Sequence, residues 1–323
     1  MSTARRRRGR SLVGRLFSTF LLLNVLIVLV GLTYLGLARI DEPVRVGIYE
    51  NIVANLITAA GFTILAATAF ISLSVIRRRR LFQFFGIQRG SMGIRFYLGQ
   101  LQVQSGGTRG IEEVRRGYHG PAIVKMEYDA CLLLQDLFRP RVTALIPEVL
   151  RELLSALFIT LAEVDATIEM SPTLEEFSPG QHLAENVVSC GAGTYNAISY
   201  YYLNQDRAFY SFGRGEDGVR VLRFHGESTL DFAALGRASH NELACIQRFK
   251  DPESGNRVFI CAGIGSGTTY GAVDYLVSHW NQLRRRYRDR EFGLCLSFAN
   301  SEPDQLPASP AHVIHQVVRP KSR

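Results

Sequence analysis

The sequence predicts an α/β protein in which a two-helix transmembrane hairpin precedes a cytoplasmic domain with a largely parallel sheet and helices on both faces. Three observations predict this organisation. Two long uncharged segments lie near the N-terminus, arginine clusters flank them, and short apolar runs alternate with helical patterns further on. We expect a basic cytoplasmic N-terminus (1–15), a two-span hairpin (16–80) and a cytoplasmic α/β domain (81–323).

The two uncharged segments are long enough to cross a bilayer. Leu16–Ala38 has 23 residues and Ile52–Ile76 has 25, whereas a span needs about 20. A cleaved signal peptide is the alternative for the first segment, but its apolar part would be shorter, about 7–15 residues. Arginines precede the first segment and Arg77–Arg80 follow the second, which places both termini in the cytoplasm, beneath the inner (plasma) membrane.

Two spans do not enclose a pore by themselves, so any channel would require an oligomer. A plain anchor is the simplest role for the hairpin. Small and polar residues in both segments can bring helices together, within or between chains. The expected partners are therefore the lipid bilayer and further copies of this chain.

The net charge of +8 is concentrated in the predicted membrane region. Residues 1–80 contain twelve arginines and three acidic residues, which leaves 25 basic and 26 acidic residues in 81–323. The predicted cytoplasmic domain is nearly neutral, whereas nucleic-acid-binding domains concentrate Lys and Arg on one face. We therefore expect no nucleic-acid partner.

The cysteines are odd in number, widely spaced and set in apolar runs: Cys131, Cys190, Cys245, Cys261 and Cys295. This pattern indicates buried, reduced thiols. No CxxC pair occurs and no His lies at zinc-ligand spacing from a Cys, so no metal is expected.

Apolar runs and helical periodicity define the elements of the domain. Strands are predicted at Gly93–Leu98, Val164–Met170, Asn186–Cys190, Ala208–Phe212, Val219–Phe224, Leu243–Phe249, Val258–Ala262, Phe292–Phe298 and His312–Val318. Helices are predicted at Ala122–Phe138, Ile146–Ala162, Tyr195–Leu203 and Thr268–Tyr287. This alternation indicates a Rossmann-like sheet, and the hairpin from Ala208 to Phe224 is expected to extend one of its edges.

One glycine-rich loop lies between a predicted strand and a long helix. It reads Gly263-Ile-Gly265-Ser-Gly267-Thr268. Glycines let a backbone approach a ligand, and free N–H groups at a helix start attract phosphate. No Lys follows, so it is not a Walker A loop, and its spacing is not that of a dinucleotide fingerprint. A tight packing turn is the alternative.

Two other loops have similar positions after strands. In the first, Gly191 and Gly193 precede Asn196, which would contact the nucleoside part of a ligand; the simpler interpretation is that Thr194 caps the helix. In the second, Gly106 and Gly107 precede Arg109, a candidate phosphate clamp, although a surface loop would also fit. Loops at the carboxyl ends of parallel strands converge on one crevice.

Glu127 is the candidate catalytic residue, in the predicted helix Ala122–Phe138. A carboxylate beside a bound nucleotide can stabilise a ribosyl oxocarbenium ion or activate water. We favour the simpler interpretation, a helix-surface charge near Lys125. The distance between Glu127 and the glycine loops decides between the two.

The segment from Leu243 to Leu276 resembles part of a known protein family. Its Gly-x-Gly-Thr turn, ending at Thr268, is similar to the phosphate-binding loop of the SLOG-type nucleotide-sensing Rossmann-like domains of bacteria. In enzymatic members a Glu follows this Gly-Thr by a few residues, but here Thr269, Tyr270 and Gly271 occupy those positions. The resemblance implies ligand sensing more than catalysis.

The function predicted from the sequence is a membrane-anchored sensor or effector. Its cytoplasmic domain would bind a nucleotide or nucleotide-like ligand and signal to the transmembrane helices, which requires the ligand to favour one state of the protein. The alternative is a membrane-tethered nucleosidase or NAD-consuming hydrolase that acts through Glu127. A tethered scaffold without a ligand is the third possibility; its glycine turns would be filled by neighbouring side chains.

Overall fold

The structure is a computed structural model. It describes residues 42–88, 93–103, 120–139, 164–215, 220–226, 230–231, 242–298, 306–307 and 310–319. The chain divides into two compact units, Met1–Ser74 and Val75–Arg323, and each is described by itself.

The second predicted span lies in helix α1, Glu42–Phe85. In the first unit this helix exposes large apolar side chains, including Phe62 at 69% and Leu65 at 66%. Measured over the described residues, no helix has both the length and the apolarity that crossing a membrane requires. The first predicted span, Leu16–Ala38, lies outside the described residues. The transmembrane hairpin therefore stays a prediction.

The described elements of the second unit have the following bounds. The strands are β1 Gly93–Leu98, β2 Gln100–Val103, β3 Gly120–Ile123, β4 Asp165–Met170, β5 Asn186–Cys190, β6 Tyr210–Arg214, β7 Arg220–Phe224, β8 Leu230–Asp231, β9 Glu242–Lys250, β10 Arg257–Gly263, β11 Phe292–Phe298 and β12 His312–Val318. The helices are α2 Lys125–Phe138, α3 Pro179–His182, α4 Ala197–Leu203 and α5 Ser266–Tyr287.

Seven of these strands form one mixed sheet in the order β12-β11-β9-β10-β5-β1-β4. The four strands β10, β5, β1 and β4 are parallel, whereas β9 and β12 run antiparallel to their neighbours. Strands β5 and β11 are buried along their whole length, as expected for a sheet covered on both faces. The α/β class is confirmed, with a sheet that is mostly but not wholly parallel.

Each face of this sheet has its own hydrophobic core. On one face, Phe96 of β1 packs with Leu134 of α2 and Leu276 of α5. On the other face, Tyr97 of the same strand packs with Tyr202 of α4 and with residues of β6 and β7. Successive strand residues point to opposite faces, so one apolar run contributes to both cores.

The end of α1 belongs to the core of the second unit. Phe84 and Phe85 are fully buried, and their rings lie 5.2 and 4.9 Å from that of Phe259 on β10. Gly86 follows the helix with a φ of +84°, a conformation that glycine adopts without strain.

Several predicted elements are corrected. The hairpin from Ala208 to Phe224 does not extend the main sheet but forms a separate three-stranded sheet with β8. The helix predicted from Ala122 begins at Lys125, because residues up to Ile123 form β3, which pairs with β2. The helical pattern in the sequence continues past the true start of the helix. The boundary is set by the pairing of β3 with β2, which the local sequence does not show. The helix predicted at Ile146–Ala162 lies outside the described residues.

Candidate functional site

The carboxyl ends of the parallel strands form one edge of the sheet, which we call the carboxyl edge. Strands β1, β5 and β10 end there at Leu98, Cys190 and Gly263. Strands β5 and β1 are neighbours in the sheet. The next strand of this sheet along the chain from β1 is β4, which pairs with β1 on the side away from β5, whereas β10 pairs with β5 on the side away from β1. Open α/β sheets bind ligands where strand connections diverge in this way. The expected crevice therefore lies between the ends of β1 and β5.

Glu127 lies at this point, in the first turn of α2, and only 8% of it is exposed. Its Oε2 accepts a hydrogen bond of 3.2 Å from the backbone N–H of Gly99. A Cβ atom at Gly191 would lie 2.8 Å from Oε1 and 3.0 Å from Oε2. The carboxyl group is thus enclosed by the residues that follow β1 and β5. The interpretation of Glu127 as a helix-surface charge is wrong.

The surroundings of Glu127 favour its protonated form. Burial raises the pKa of Glu127 to about 7, although the hydrogen bond from Gly99 opposes the rise. The Cys190 thiol has a raised pKa because it hydrogen-bonds to Cys131 and is buried, and the charge of Glu127 adds to this effect. A carboxyl group with a pKa near the operating pH can both take up and release a proton.

An exposed aromatic side chain lies beside this carboxyl group. Tyr195 is 50% exposed, and its backbone carbonyl accepts a 2.8 Å hydrogen bond from the N–H of Gln100. A Cβ atom at Gly99 would lie 3.0 Å from Oε2 of Glu127 and 3.3 Å from Cβ of Tyr195. A larger residue in place of Gly99 would therefore crowd both the buried acid and the Cβ atom of Tyr195.

The loop from Gly191 to Asn196 serves structural purposes at two of its three predicted positions. Asn196, not Thr194, caps α4, because its side chain accepts hydrogen bonds from the N–H groups of Ile198 and Ser199. The Asn196 amide also donates to the carbonyl of Cys190 at 3.1 Å, and the residue is 1% exposed. A Cβ atom at Gly193 would lie 2.9 Å from Cα of Tyr200. The side chain of Asn196 is thus hydrogen-bonded within the protein, and the space beside Gly193 is filled by α4. A nucleoside-binding role for these two residues stays a prediction.

The loop before α5 is closed by its own threonines. The N–H of Gly263 donates to Oγ1 of Thr269 at 3.0 Å, and the N–H of Gly265 donates to Oγ1 of Thr268 at 3.2 Å. A Cβ atom at Gly263 would lie 2.3 Å from the Thr268 hydroxyl. These contacts are those of a packing turn. Phosphate binding by this loop stays a prediction.

The first turns of α2 and α5 adjoin, because the Ser266 hydroxyl lies 3.6 Å from Sδ of Met126. The start of α5 is therefore close to the residue before Glu127. The third predicted loop, with Gly106, Gly107 and Arg109, lies outside the described residues. The clamp role of Arg109 stays a prediction.

Sequence reasoning singled out Tyr195 as a residue that could stack on a base, but it missed Gly99 as a neighbour of Glu127. A signal for the burial of Glu127 was nevertheless present. The residue shares the helical spacing of Ala130, Cys131 and Leu134, all of which are fully buried. An acid on the apolar stripe of an amphipathic helix is expected to face the interior.

Comparisons of the chain with protein-family models, curated proteins and solved structures give no match. Within the described part of the chain, no three His, Cys, Asp or Glu side chains come together as metal ligands.

Proposed function

We propose that the second unit binds a nucleotide-like ligand at the carboxyl edge and hydrolyses its N-glycosidic bond with Glu127 as the acid–base residue. The observation that carries this proposal is the enclosure of the Glu127 carboxyl group between Gly99 and Gly191. That is the geometry which the hydrolase alternative required. Burial and a pKa near 7 suit the same role.

The chemistry needs only water as co-reactant. Ionised Glu127 takes a proton from a water molecule, whose oxygen attacks the anomeric carbon of the ribosyl group as the bond to the base breaks. The bonding electrons leave with the base nitrogen. A purine nitrogen takes up the proton held by Glu127, whereas nicotinamide leaves neutral and Glu127 releases its proton to solvent. The products are the free base and a ribosyl group with a hydroxyl at its anomeric carbon. The negative carboxylate also stabilises the developing oxocarbenium ion.

Tyr195 would hold the base of the ligand. Its side chain is half-exposed, and its Cβ atom would lie 3.3 Å from a Cβ atom at Gly99, the residue that donates to Glu127. Stacking of a base on an aromatic ring does not depend strongly on which base is bound, and it contributes about 1–3 kcal/mol to the binding free energy. The phosphate side would then face the start of α5, whose positive end favours anions.

A membrane attachment for this unit is part of the proposal. Ile52–Ile76 within α1 contains no charged residue, and Arg77–Arg80 follow it directly. These features support a two-span anchor in the inner membrane with cytoplasmic termini, and homo-oligomers formed through the spans.

Ligand sensing without hydrolysis is the second candidate. One observation favours it: Thr269 and Gly271, at the positions where enzymatic SLOG-type domains carry a Glu, are buried, and a Cβ atom at Gly271 would lie 2.5 Å from Phe298. Helix α5 therefore has no room for an acid at these two positions. In this candidate the bound ligand would remain intact and would change the packing of the transmembrane helices.

The decisive experiment incubates the purified full-length protein with NAD, adenosine and adenosine monophosphate and measures released base by chromatography. We expect base release, and a loss of about 100-fold or more in rate for Glu127→Gln. Asp136→Asn, on the exposed end of the same helix, is the matched control and should retain full activity. Equal rates for the two variants would refute hydrolysis by Glu127.

Mass spectrometry of small molecules retained by the protein separates the two candidates. An intact nucleotide that is retained by the wild-type protein, lost in Tyr195→Ala and never hydrolysed would establish sensing. Absence of both retention and hydrolysis would contradict both.

A further inference from the structure

The opposite edge of the sheet carries two adjoining cavities, which we call the amino-edge cavities. They lie where β5 and β10 begin, away from Glu127. One has a volume of about 520 Å³ and is lined by Asn186, Arg248 and Lys250, among others. The other has a volume of about 650 Å³. They share the lining residues Gly86, Gln88, Arg257 and Asp289, so they form one continuous depression.

The walls of the larger cavity are strongly basic. Arg257, Arg284, Arg285 and Arg288 line it, together with the single acid Asp289. That acid already pairs with Arg257 at 2.8 Å. Among the described residues, Arg284, Arg285 and Arg288 form no ion pair. The pKa of Arg284 is lowered, first by burial and then by the positive charges of Arg80 and Arg285.

Three buried nitrogen donors in these walls have no hydrogen-bond partner among the described residues. They are Nε of Arg284, Nη1 of Arg248 and Nδ2 of Asn186. Arg248 is 2% exposed and Asn186 is 1% exposed. Buried polar groups are normally paired, because an unpaired one loses its hydration without compensation. Arg284 lines the larger cavity, where an anion would supply the missing acceptor, whereas Arg248 and Asn186 line the smaller one. The Arg248 guanidinium also lies over the rings of Phe84 and Phe292.

Arg288 adds a strained backbone to the same wall. Its φ of +48° and ψ of −122° are unfavourable for a residue with a side chain. The backbone carbonyl of Arg288 accepts a 2.6 Å hydrogen bond from Nη2 of Arg248. The buried Arg248 thus holds the strained residue in place. A glycine would suit this conformation better, but it would remove a cation from the cavity.

We propose that the amino-edge cavities bind a phosphomonoester or pyrophosphate group through Arg284, Arg285 and Arg288. Arginine recognises phosphate through several parallel hydrogen bonds. The acids in the walls do not oppose this role: Asp289 pairs with Arg257, and Glu291 pairs with Arg207 and Arg319. The proposal does not depend on Glu127.

The ligand has two possible sources, a phospholipid headgroup and a soluble phosphorylated molecule. Gln83, which lines the larger cavity, follows the end of the second predicted span by only seven residues. Seven helical residues rise about 10 Å. This closeness along the chain is the reason for testing a phospholipid headgroup as one source. A soluble phosphate would reach the site without a membrane.

The test is isothermal titration of the full-length protein, purified in a non-ionic detergent, with dihexanoyl phosphatidic acid and separately with inorganic pyrophosphate. We expect binding of at least one probe. It should weaken at least tenfold in Arg284→Gln/Arg285→Gln. The control Arg286→Gln/Arg290→Gln removes the same charge from residues that do not line the cavities, and it should change the affinity less than twofold.

The relative affinities identify the source. Tighter binding of phosphatidic acid indicates a lipid headgroup, and tighter binding of pyrophosphate indicates a soluble ligand. The proposal is overturned if the wild-type protein binds neither probe, or if both double variants lose affinity equally, which would show attraction by general charge only. If the first double variant does not fold, the single change of the exposed Arg285→Gln should still weaken binding at least threefold, and an unchanged affinity overturns the proposal.

Discussion

Replacing Glu127 with Gln should make the protein more stable at alkaline pH. The folded protein raises the pKa of this carboxyl group from an ordinary value of 4.5 to about 7. Between these values the unfolded chain is ionised while the folded protein remains protonated, so stability falls as the pH rises. The stability is complete below pH 4.5 and is lost as the pH passes through 7.

The magnitude follows from this difference in pKa. Each pKa unit corresponds to 1.36 kcal/mol, so ionisation of Glu127 should lower the free energy of unfolding by about 3 kcal/mol at pH 8. Little discount for solvent is needed, because the residue is 8% exposed. Glutamine cannot ionise, but its amide N–H groups need acceptors, which costs about 1 kcal/mol. A net gain of about 2 kcal/mol at pH 8 is therefore expected, and a loss of about 1 kcal/mol at pH 4.5, where only the cost of the amide remains.

The assay is urea unfolding of the full-length protein from pH 4.5 to pH 8. Trp280 is the only tryptophan and is 3% exposed in the core of the second unit, so its fluorescence reports on this unit. Asp136→Asn, at an exposed position of the same helix, is the control and should follow the wild-type protein. If Glu127→Gln shows the same pH dependence as the wild type, Glu127 is not desolvated and the proposed role loses its basis.

Three other predictions use the same fluorescence or simple labelling. Gly263→Ala should lower the free energy of unfolding by about 2–3 kcal/mol, because its Cβ would lie 2.3 Å from the Thr268 hydroxyl and 2.5 Å from the backbone nitrogen of Thr269. The control Gly180→Ala has no atom within 4 Å and should be near neutral, so similar losses would contradict the packing-turn interpretation. Burial alone would raise the pKa of Asp251, but hydrogen bonds from Ser254 and other groups lower it. Asp251→Ala should therefore cost about 2 kcal/mol at pH 7 and less as the pH falls below about 4; a constant loss would refute this. The five cysteines are free and buried, so a thiol reagent should modify five in urea and none within minutes in native buffer.

The mixed character of the sheet shows where sequence reasoning stops. The apolar runs of β5, β10 and β11 were predicted within a residue or two, because strands buried on both faces are apolar along their length. The sequence did not reveal that β9 lies antiparallel between β10 and β11. Strand direction depends on pairing partners, which local composition does not encode.

The glycine loops also separate what the sequence predicts from what only the structure reveals. Their positions after strands were predicted, but the reason for each glycine was not. Gly191 makes room for the carboxyl group of Glu127, which lies 64 residues earlier in the chain, and Gly193 makes room for α4. A glycine that admits a ligand and a glycine that admits a neighbouring helix have the same sequence pattern.

The sequence by itself determined the α/β class, most strand positions, the buried cysteines and the uneven distribution of charge. These depend on local composition and on periods of two or 3.6 residues. Only the tertiary structure brought Glu127 to Gly99 and Gly191, and gathered Arg248, Arg257 and Arg284 around one depression. Both arrangements join segments far apart in the chain, and such contacts are set by the packing of the whole domain.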